Sequence, residues 1–486
     1  MITYPILRLY LEGETIEFKN EDIIEATVVQ EISSLGMELP ASTAEVSVYT
    51  TNSDFNPFNS ARYFQALKAN TLADLIEYTD GVEKFISRFY LDEWDNPSKD
   101  VLKFNLQDVI GVMENIMFDG LFYENPTDIS VIISNLKIHA PCDIIIDSDL
   151  TDVKLMGYIP GHITLREALQ QVCFAAGAYA TTQGIDHILI KPSKLPHSRA
   201  VFPSYYGNSL ATYDTLNVRY SDYVVEDTIT NLDKLEKQEL ILQPMVTGVE
   251  LVTHDYTKSD TVETIFSDTL EPGDYKIIYE KPYGDVLVDG AGDIPEWLAT
   301  ENDEIFVTED SGIYPEVTII GKTGAWEYGP NSISLHIIIE SLITITGHPY
   351  NDNTQVLVWS NPDAIQSYTE GGVYDDPVSK YDNLDTVYWR LYSIKAATNT
   401  WRITDATLVS KSIGQTVLDR IVQYAQARHE QTITALAGKE IETGTIYLLD
   451  SLYNKKLVAS AELITTNLSG GNLKETRLIG TEKLEG

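Results

Sequence analysis

The sequence predicts a mainly β chain with α+β parts, divided among several domains. Three observations predict it. The chain has 486 residues, and at about 150 residues per domain that length suits roughly three units. Much of it alternates apolar and polar residues with period two, as in Thr43-Ala44-Glu45-Val46-Ser47-Val48-Tyr49, the pattern of a half-buried strand. Against this background two stretches carry helical spacing behind a capping signal, near residues 164 and 412.

Composition bounds the function. Hydrophobic residues make up 43% of the chain, enough to bury several cores and to exclude global disorder. The 73 Asp+Glu against 34 Lys+Arg give a formal charge of -39. Bound nucleic acid is disfavoured, because its affinity rests on Lys and Arg neutralising phosphates. An anionic membrane surface is disfavoured for the same reason. Two cysteines, Cys142 and Cys173, are too few for a disulfide framework, an all-Cys zinc site or an iron–sulfur centre. No apolar run approaches the roughly 18–20 residues of a membrane span. Arg8, Glu12 and Glu14 interrupt the first residues, so no export signal is read there.

Each element follows from local pattern. After the strand 43–49, Asn52 to Asn59 is turn chemistry. Phe85 to Trp94 reads as a strand, Asp95-Asn96-Pro97-Ser98 as a break, and Val101 to Leu106 as the next strand. Asp108 is placed to cap a short helix through Val109, Val112 and Met113. Residues 128–191 read as a compact α/β unit of strand, helix and hairpin. Thr164 and Glu167 have capping-box spacing, and Leu165, Ala168, Leu169, Val172 and Cys173 line one helical face. Arg166 falls on the opposite face. Gly177 suits the position past the helix end. Tyr179–Thr182 and Ile185–Ile190 form the hairpin, joined at Gln183-Gly184. Further strands are expected at 216–223, 246–256, 275–279, 317–320, 332–345 and 354–359. Ser412 and Gln415 repeat the capping-box spacing before the apolar face Val417, Leu418, Ile421, Val422 and Ala425. A β-meander through 445–449, 457–465 and 473–479 follows.

Charge marks a boundary. Residues 221–310 hold 23 acidic and 5 basic side chains, whereas 391–486 hold 10 acidic and 11 basic. That shift places a division near 390–410.

No catalytic, cofactor-binding or metal-ligating residue is assigned. Acidic pairs such as Asp92-Glu93, Asp303-Glu304 and Asp375-Asp376 are expected by chance among 73 acids. Neighbours in a strand also point to opposite faces, unlike the facing carboxylates of a glycosidase. Asp289-Gly290-Ala291-Gly292-Asp293 with Glu301, Asp303 and Glu304 has oxygen ligands for calcium but not the spacing of an EF-hand loop. His139, Cys142, His162 and Cys173 are of zinc-ligand type, yet Cys173 lies on an apolar helix face, where a buried thiol is the ordinary outcome. No nucleophile elbow, Walker loop or His-Glu-x-x-His helix is present.

Three stretches together resemble the baseplate hub proteins of phage tails and related contractile injection systems. The first is Phe89-Tyr90-Leu91-Asp92-Glu93-Trp94, Phe104, Asp108-Val109-Ile110-Gly111 and Met117-Phe118-Asp119-Gly120-Leu121-Phe122-Tyr123. The second is Thr164 to Pro192. The third is Thr466-Asn467-Leu468-Ser469-Gly470-Gly471-Asn472-Leu473 with the closing Leu478-Ile479-Gly480. The resemblance covers about half of the chain.

The resemblance implies two tail-tube-like β-barrel domains with an inserted small α/β domain and a C-terminal helix plus β-meander. Residues 1–123 would form the first barrel, completed by about 200–240, with 124–199 inserted. Residues 241–400 would form an acidic second β-rich domain, and 401–486 the helix and meander. The implied protein is a homotrimer whose ring joins the six-fold tail tube to the three-fold central spike, lines the channel and meets other baseplate proteins. It implies no catalysis, no cofactor, no specific nucleic-acid binding and no stable membrane binding. It places the protein in a virion or injection-particle baseplate, after synthesis in the bacterial host cytoplasm. The acidic stretch 221–310 is a candidate for channel wall or outer surface, where negative charge repels DNA or acidic cargo. The rival from another class is a tail-associated cell-wall hydrolase or carbohydrate-binding protein, for which 29 Tyr and 6 Trp would supply sugar platforms.

Overall fold

The computed structural model describes residues 3–50, 55, 57–58, 63–196, 225–271, 273–289, 317–318, 330–337, 341–361, 365–372, 388–394, 399–435, 439–451, 453, 455–469 and 473–482. The chain is mainly β, in several sheets, with few helices. The N-terminal half holds β1 (Thr3–Leu11), β2 (Glu14–Lys19), β3 (Ile23–Glu31), β4 (Thr43–Tyr49), the short helix α1 (Tyr63–Ala66), β5 (Leu72–Thr79), β6 (Val82–Ser98) and β7 (Val101–Gln107). Strand β4 has the expected bounds, with Ala44, Val46 and Val48 buried. The expected break at 95–98 is instead a register shift inside β6. A bulge of this kind leaves residues unpaired, which lets Pro97 sit within a strand.

These strands run β3-β4-β7-β6-β5-β1-β2 in space. The sheet rolls over: β1 touches β3 although four strands lie between them. Phe18 of the edge strand β2 lies 6.0 Å from Phe104 of β7. Leu7, Leu9, Val28, Val46, Phe89 and Phe104 close one core.

Asp108 caps α2 (Val109–Val112) by accepting from the Gly111 N–H at 3.1 Å. The carboxyl is fully buried, which pushes its pKa up, and it also accepts from Thr182 Oγ1 at 2.8 Å. Next come β8 (Met117–Phe118), β9 (Leu121–Asp128), α3 (Ile129–Lys137), β10 (Ile144–Ile146), β11 (Lys154–Ile159), β12 (Ile163–Thr164), α4 (Leu165–Ala176), β13 (Ala178–Thr181) and β14 (Ile188–Pro192). Between β8 and β9, Gly120 sits at φ +84°, where a Cβ would meet Gly161 N and Ile159 O at 2.7 Å. Only glycine fits that approach.

The Thr164–Glu167 capping box closes α4, and Gly177 ends it in the left-handed region at φ +73°. Leu165, Leu169, Val172 and Cys173 are fully buried. The hairpin exists, but Thr181 pairs with Leu189, so its second strand starts at Ile188 rather than Ile185. Arg166 differs from expectation. Its Nε donates to the Leu39 carbonyl at 2.7 Å and Nη1 reaches Glu114 at 3.4 Å, so it ties α4 to the 32–42 segment.

The remaining strands are β15 (Asp227–Ile229), β16 (Lys234–Leu242), β17 (Gly248–Thr253), β18 (Tyr256–Lys258), β19 (Glu263–Leu270), β20 (Gly273–Ile278), β21 (Tyr283–Asp289), β22 (Val317–Thr318), β23 (Ser332–Ile337), β24 (Ser341–Asp352), β25 (Gln355–Ser360), β26 (Ile365–Gly372), β27 (Tyr388–Ile394) and β28 (Thr400–Ile403). Helix α5 (Gly414–Gln426) then leads to β29 (His429–Ala435), β30 (Ile446–Asp450), β31 (Lys456–Asn467) and β32 (Leu473–Glu482). Ser412 does not cap α5: the cap position is Ile413, without a side-chain bond. Ser412 instead pairs its hydroxyl with Ser410 at 2.8 Å, and Gln415 donates to Asp419 at 2.9 Å.

The expected strand 216–223 lies outside the described residues. Strands β15 and β16 pair with β30 and β29, so the described part of 200–240 joins the C-terminal strands rather than the N-terminal ones. Strand β28 pairs with β17. The α/β unit shares one core with α5, β17 and the 401–409 segment, through Leu169, Phe174, Leu251, Leu408 and Ile421.

Candidate assembly surface

The N- and C-terminal strands form a single sheet. Thr27 to Glu31 of β3 pair antiparallel with Asn467 to Leu463 of β31, extending the path to β32, β29 and β16. The join is reinforced at both ends. Ile32 N–H donates to Glu462 O at 2.9 Å, and Leu468 N–H to Ala26 O at 2.9 Å. Leu468, from the Asn467-Leu468-Ser469 stretch, is buried in the N-terminal core. Arg477 bridges β32 to Glu31 of β3 at 2.9 Å.

A buried carboxyl lies beside this join. Glu462 occupies the register shift of β31 against β32 and accepts from Tyr424 Oη at 3.0 Å, while Oε1 has no partner. Burial pushes its pKa up, against smaller opposing effects from Ser34, Tyr424 and Arg477. The folded chain therefore holds this proton at pH values where an unfolded Glu, near 4.5, has lost it. Stability should fall as pH rises from about 4.5 through the raised value, then level off. Glu462→Gln should remove that slope. Urea midpoints from pH 5 to 8 check it: the variant should gain on the wild type as pH rises, and parallel profiles would count against a raised carboxyl.

The two ends of the sheet path are the strands β2 and β16. At β2, Arg8 of the neighbouring strand bonds Glu17 and Glu83, both at 2.7 Å, and Lys19 meets Glu17 at 3.0 Å. Such charge guards an edge against random pairing. At β16 the edge mixes apolar and charged side chains: Leu232, just before the strand, is 87% exposed and Leu242 58%, while Glu239 is exposed as well and Lys234 donates to Asn231 Oδ1 at 3.4 Å.

Aromatic contacts join the α/β unit to the acidic strands. Phe122 of β9 lies 4.4 Å from Tyr350 of β24, and Tyr350 Oη donates to Glu124 at 3.1 Å. His254 Nδ1 is 2.7 Å from Asp352. Nothing in the sequence pattern marked this joint. In the described part of 221–310, Asp260, Asp268, Glu271, Asp274 and Glu280 are exposed.

The residues weighed for chemistry are dispersed. His139 packs edge-on against Phe118 at 5.6 Å, Cys142 Sγ contacts Asp143 O at 3.2 Å, and Cys173 is buried in α4. His162 sits in a strained turn at φ 60°. Burial pushes the Cys142 thiol up to about 11 and the Cys173 thiol up to about 12, so both are protonated at neutral pH. Asp92 accepts from Gln107 at 3.3 Å, and Glu93 is exposed. Asp289 ends β21, whereas Gly290 to Asp293, Glu301, Asp303, Glu304, Asp375 and Asp376 lie outside the described residues. Among the described residues no group of three or more His, Cys, Asp or Glu is arranged to hold a metal ion. None of their helices is long and apolar enough to cross a membrane.

No family profile matches the chain, and no curated protein matches its sequence. In structure it is similar to the tail protein from Neisseria meningitidis MC58, at 8% identity and TM-score 0.47, over 98% of this chain and 96% of that one. It is also similar to the 43 kDa tail protein of prophage MuSo2 from Shewanella oneidensis, at 7% identity and TM-score 0.47, over 98% of each chain. A prophage tail protein from Listeria monocytogenes EGD-e is similar at 8% identity and TM-score 0.44, over 99% of this chain and 95% of that one.

Proposed function

We propose that this chain is a structural hub of a phage-tail or contractile-injection baseplate, acting without catalysis as a homotrimer. The observation that carries the reading is the β3–β31 join, which unites two strand groups of one chain in a continuous sheet with two unlike ends. Three such chains would present six strand groups around an axis. Unlike ends suit a heterologous, head-to-tail contact, which closes into a ring when the rotation per copy is right. The ring would join a six-fold tail tube to a three-fold central spike, with other baseplate proteins around it. Residues 3–107 and 227–242 with 429–482 would be its two tube-like halves, and 124–199 an insertion between them. The exposed acids of 225–289 would line the channel or the outer surface.

The rival hydrolase reading makes a separable prediction. A peptidoglycan zymogram of the purified chain should stay blank, and Asp92→Asn should leave particle assembly at the wild-type level. A lytic band would overturn the structural reading.

A further inference from the structure

We propose that His429 is an acid-sensitive clasp, releasing the end of the edge strand β16 when its imidazole takes up a proton. Among the described strands β16 pairs with β29 alone, whereas β29 is paired on both sides. The last paired residues of β16, Gln238 to Leu242, form a ladder of their own, set off from Lys234 by a register shift. Their end is lightly held. Leu242 is 58% exposed, and beyond it the Gln243 N–H donates to the Arg428 carbonyl at 2.8 Å.

His429 opens β29, opposite Leu242 of β16 on one side and Gly480 of β32 on the other. Its Nδ1 is buried and has no hydrogen-bond partner. A neutral imidazole can leave that nitrogen bare and keep its proton on Nε2. The imidazolium cannot, because both ring nitrogens then carry a hydrogen to donate. A buried donor without an acceptor costs free energy. Opening Nδ1 to water removes that cost, and of the two neighbouring strands β16 is the easier to lift. Strand β32 lies inside the sheet, between β29 and β31. Among the described residues no strand lies beyond β16.

Charges reach the ring from three strands. Arg428, the preceding residue, donates through Nε to the Gln243 carbonyl at 2.9 Å. Glu430, the following one, is engaged by the Gln243 side chain. On β32, Glu482 is shared with Lys455 at 3.1 Å. On β16 the nearest acid along the strand is Glu239, opposite Thr432. Burial pushes the ring below its ordinary 6.5, against attraction from Glu482 and with repulsion from Arg428. Above pH 6.5 the ring is neutral whether β16 is paired or lifted. Below it the lifted state takes a proton that the paired state resists. Pairing therefore weakens as pH falls from 6.5 through the lowered value, then levels off. The clasp works within one chain and does not depend on the ring. Under the hub reading it makes the β16 contact between copies acid-sensitive.

The test is hydrogen exchange at the Gln243 amide of the purified full chain, with an NMR titration of the His429 ring alongside. Both read the single chain, so the clasp and the hub reading can fail separately. From pH 7.5 to 5.5 the Gln243 protection factor should fall by about three- to tenfold. The His429 midpoint should lie below 6.5. His429→Gln stays neutral across that range and should abolish the fall. Should the variant fail to fold, the ring midpoint decides. A flat profile in the wild type, a fall that His429→Gln retains, or a midpoint at or above 6.5 overturns the proposal.

Discussion

Phe104→Ala is expected to lower the stability of the chain by about 3–5 kcal/mol, the usual cost of removing a buried aromatic ring. Phe104 is fully buried. It pairs across the sheet with Val46 on one side and Trp94 on the other, and the rolled edge strand brings Phe18 against it. Truncation leaves a cavity between opposite walls of one roll, where neither can collapse without breaking a ladder. Because β3 continues into β31, the loss should reach beyond the N-terminal half. Amide exchange in β31 and β32 should quicken together with β7. A urea shift under 1 kcal/mol, or unchanged protection in β31, would show that the halves are stabilised independently.

Leu169→Ala should cost about 2–5 kcal/mol, concentrated in the α/β unit. Leu169 is fully buried on α4, in the core shared with α5 and β17. Exchange should quicken first in α4 and β13, and the Trp401–Tyr424 contact at 6.4 Å should loosen with α5. Arg166→Ala, one residue-face away, removes a side-chain to carbonyl bond and should cost about 0.5–1.5 kcal/mol. Equal effects of the two substitutions would contradict the burial that separates them.

The sequence made some of this legible and hid the rest for physical reasons. Strand β4 and helix α4 were readable because their signals are local: strict alternation in one, a capping box with a glycine stop in the other. Helix α3 was missed although Ile129, Ile132, Ile133 and Leu136 stand at helical spacing. Its run of β-branched residues favours strand by propensity, and burial against neighbours overrides that. The Ser412–Gln415 spacing misled because the chain enters α5 already coiled at Ile413, φ -105°, ψ -7°, so the serine sits too early to reach an N–H. The join of β3 to β31 left no readable trace. Alternation says that a strand has two faces but not which strand, more than 400 residues away, lies beside it.

The central claim is that three copies of this chain form one ring. Electron cryomicroscopy of the assembled particle tests it most directly, by the rotational symmetry of density at this chain's level. Three-fold density with two strand groups per copy, stacked on a six-fold tube, is the result predicted here. Six copies at that level, or a single copy off the axis, would contradict it.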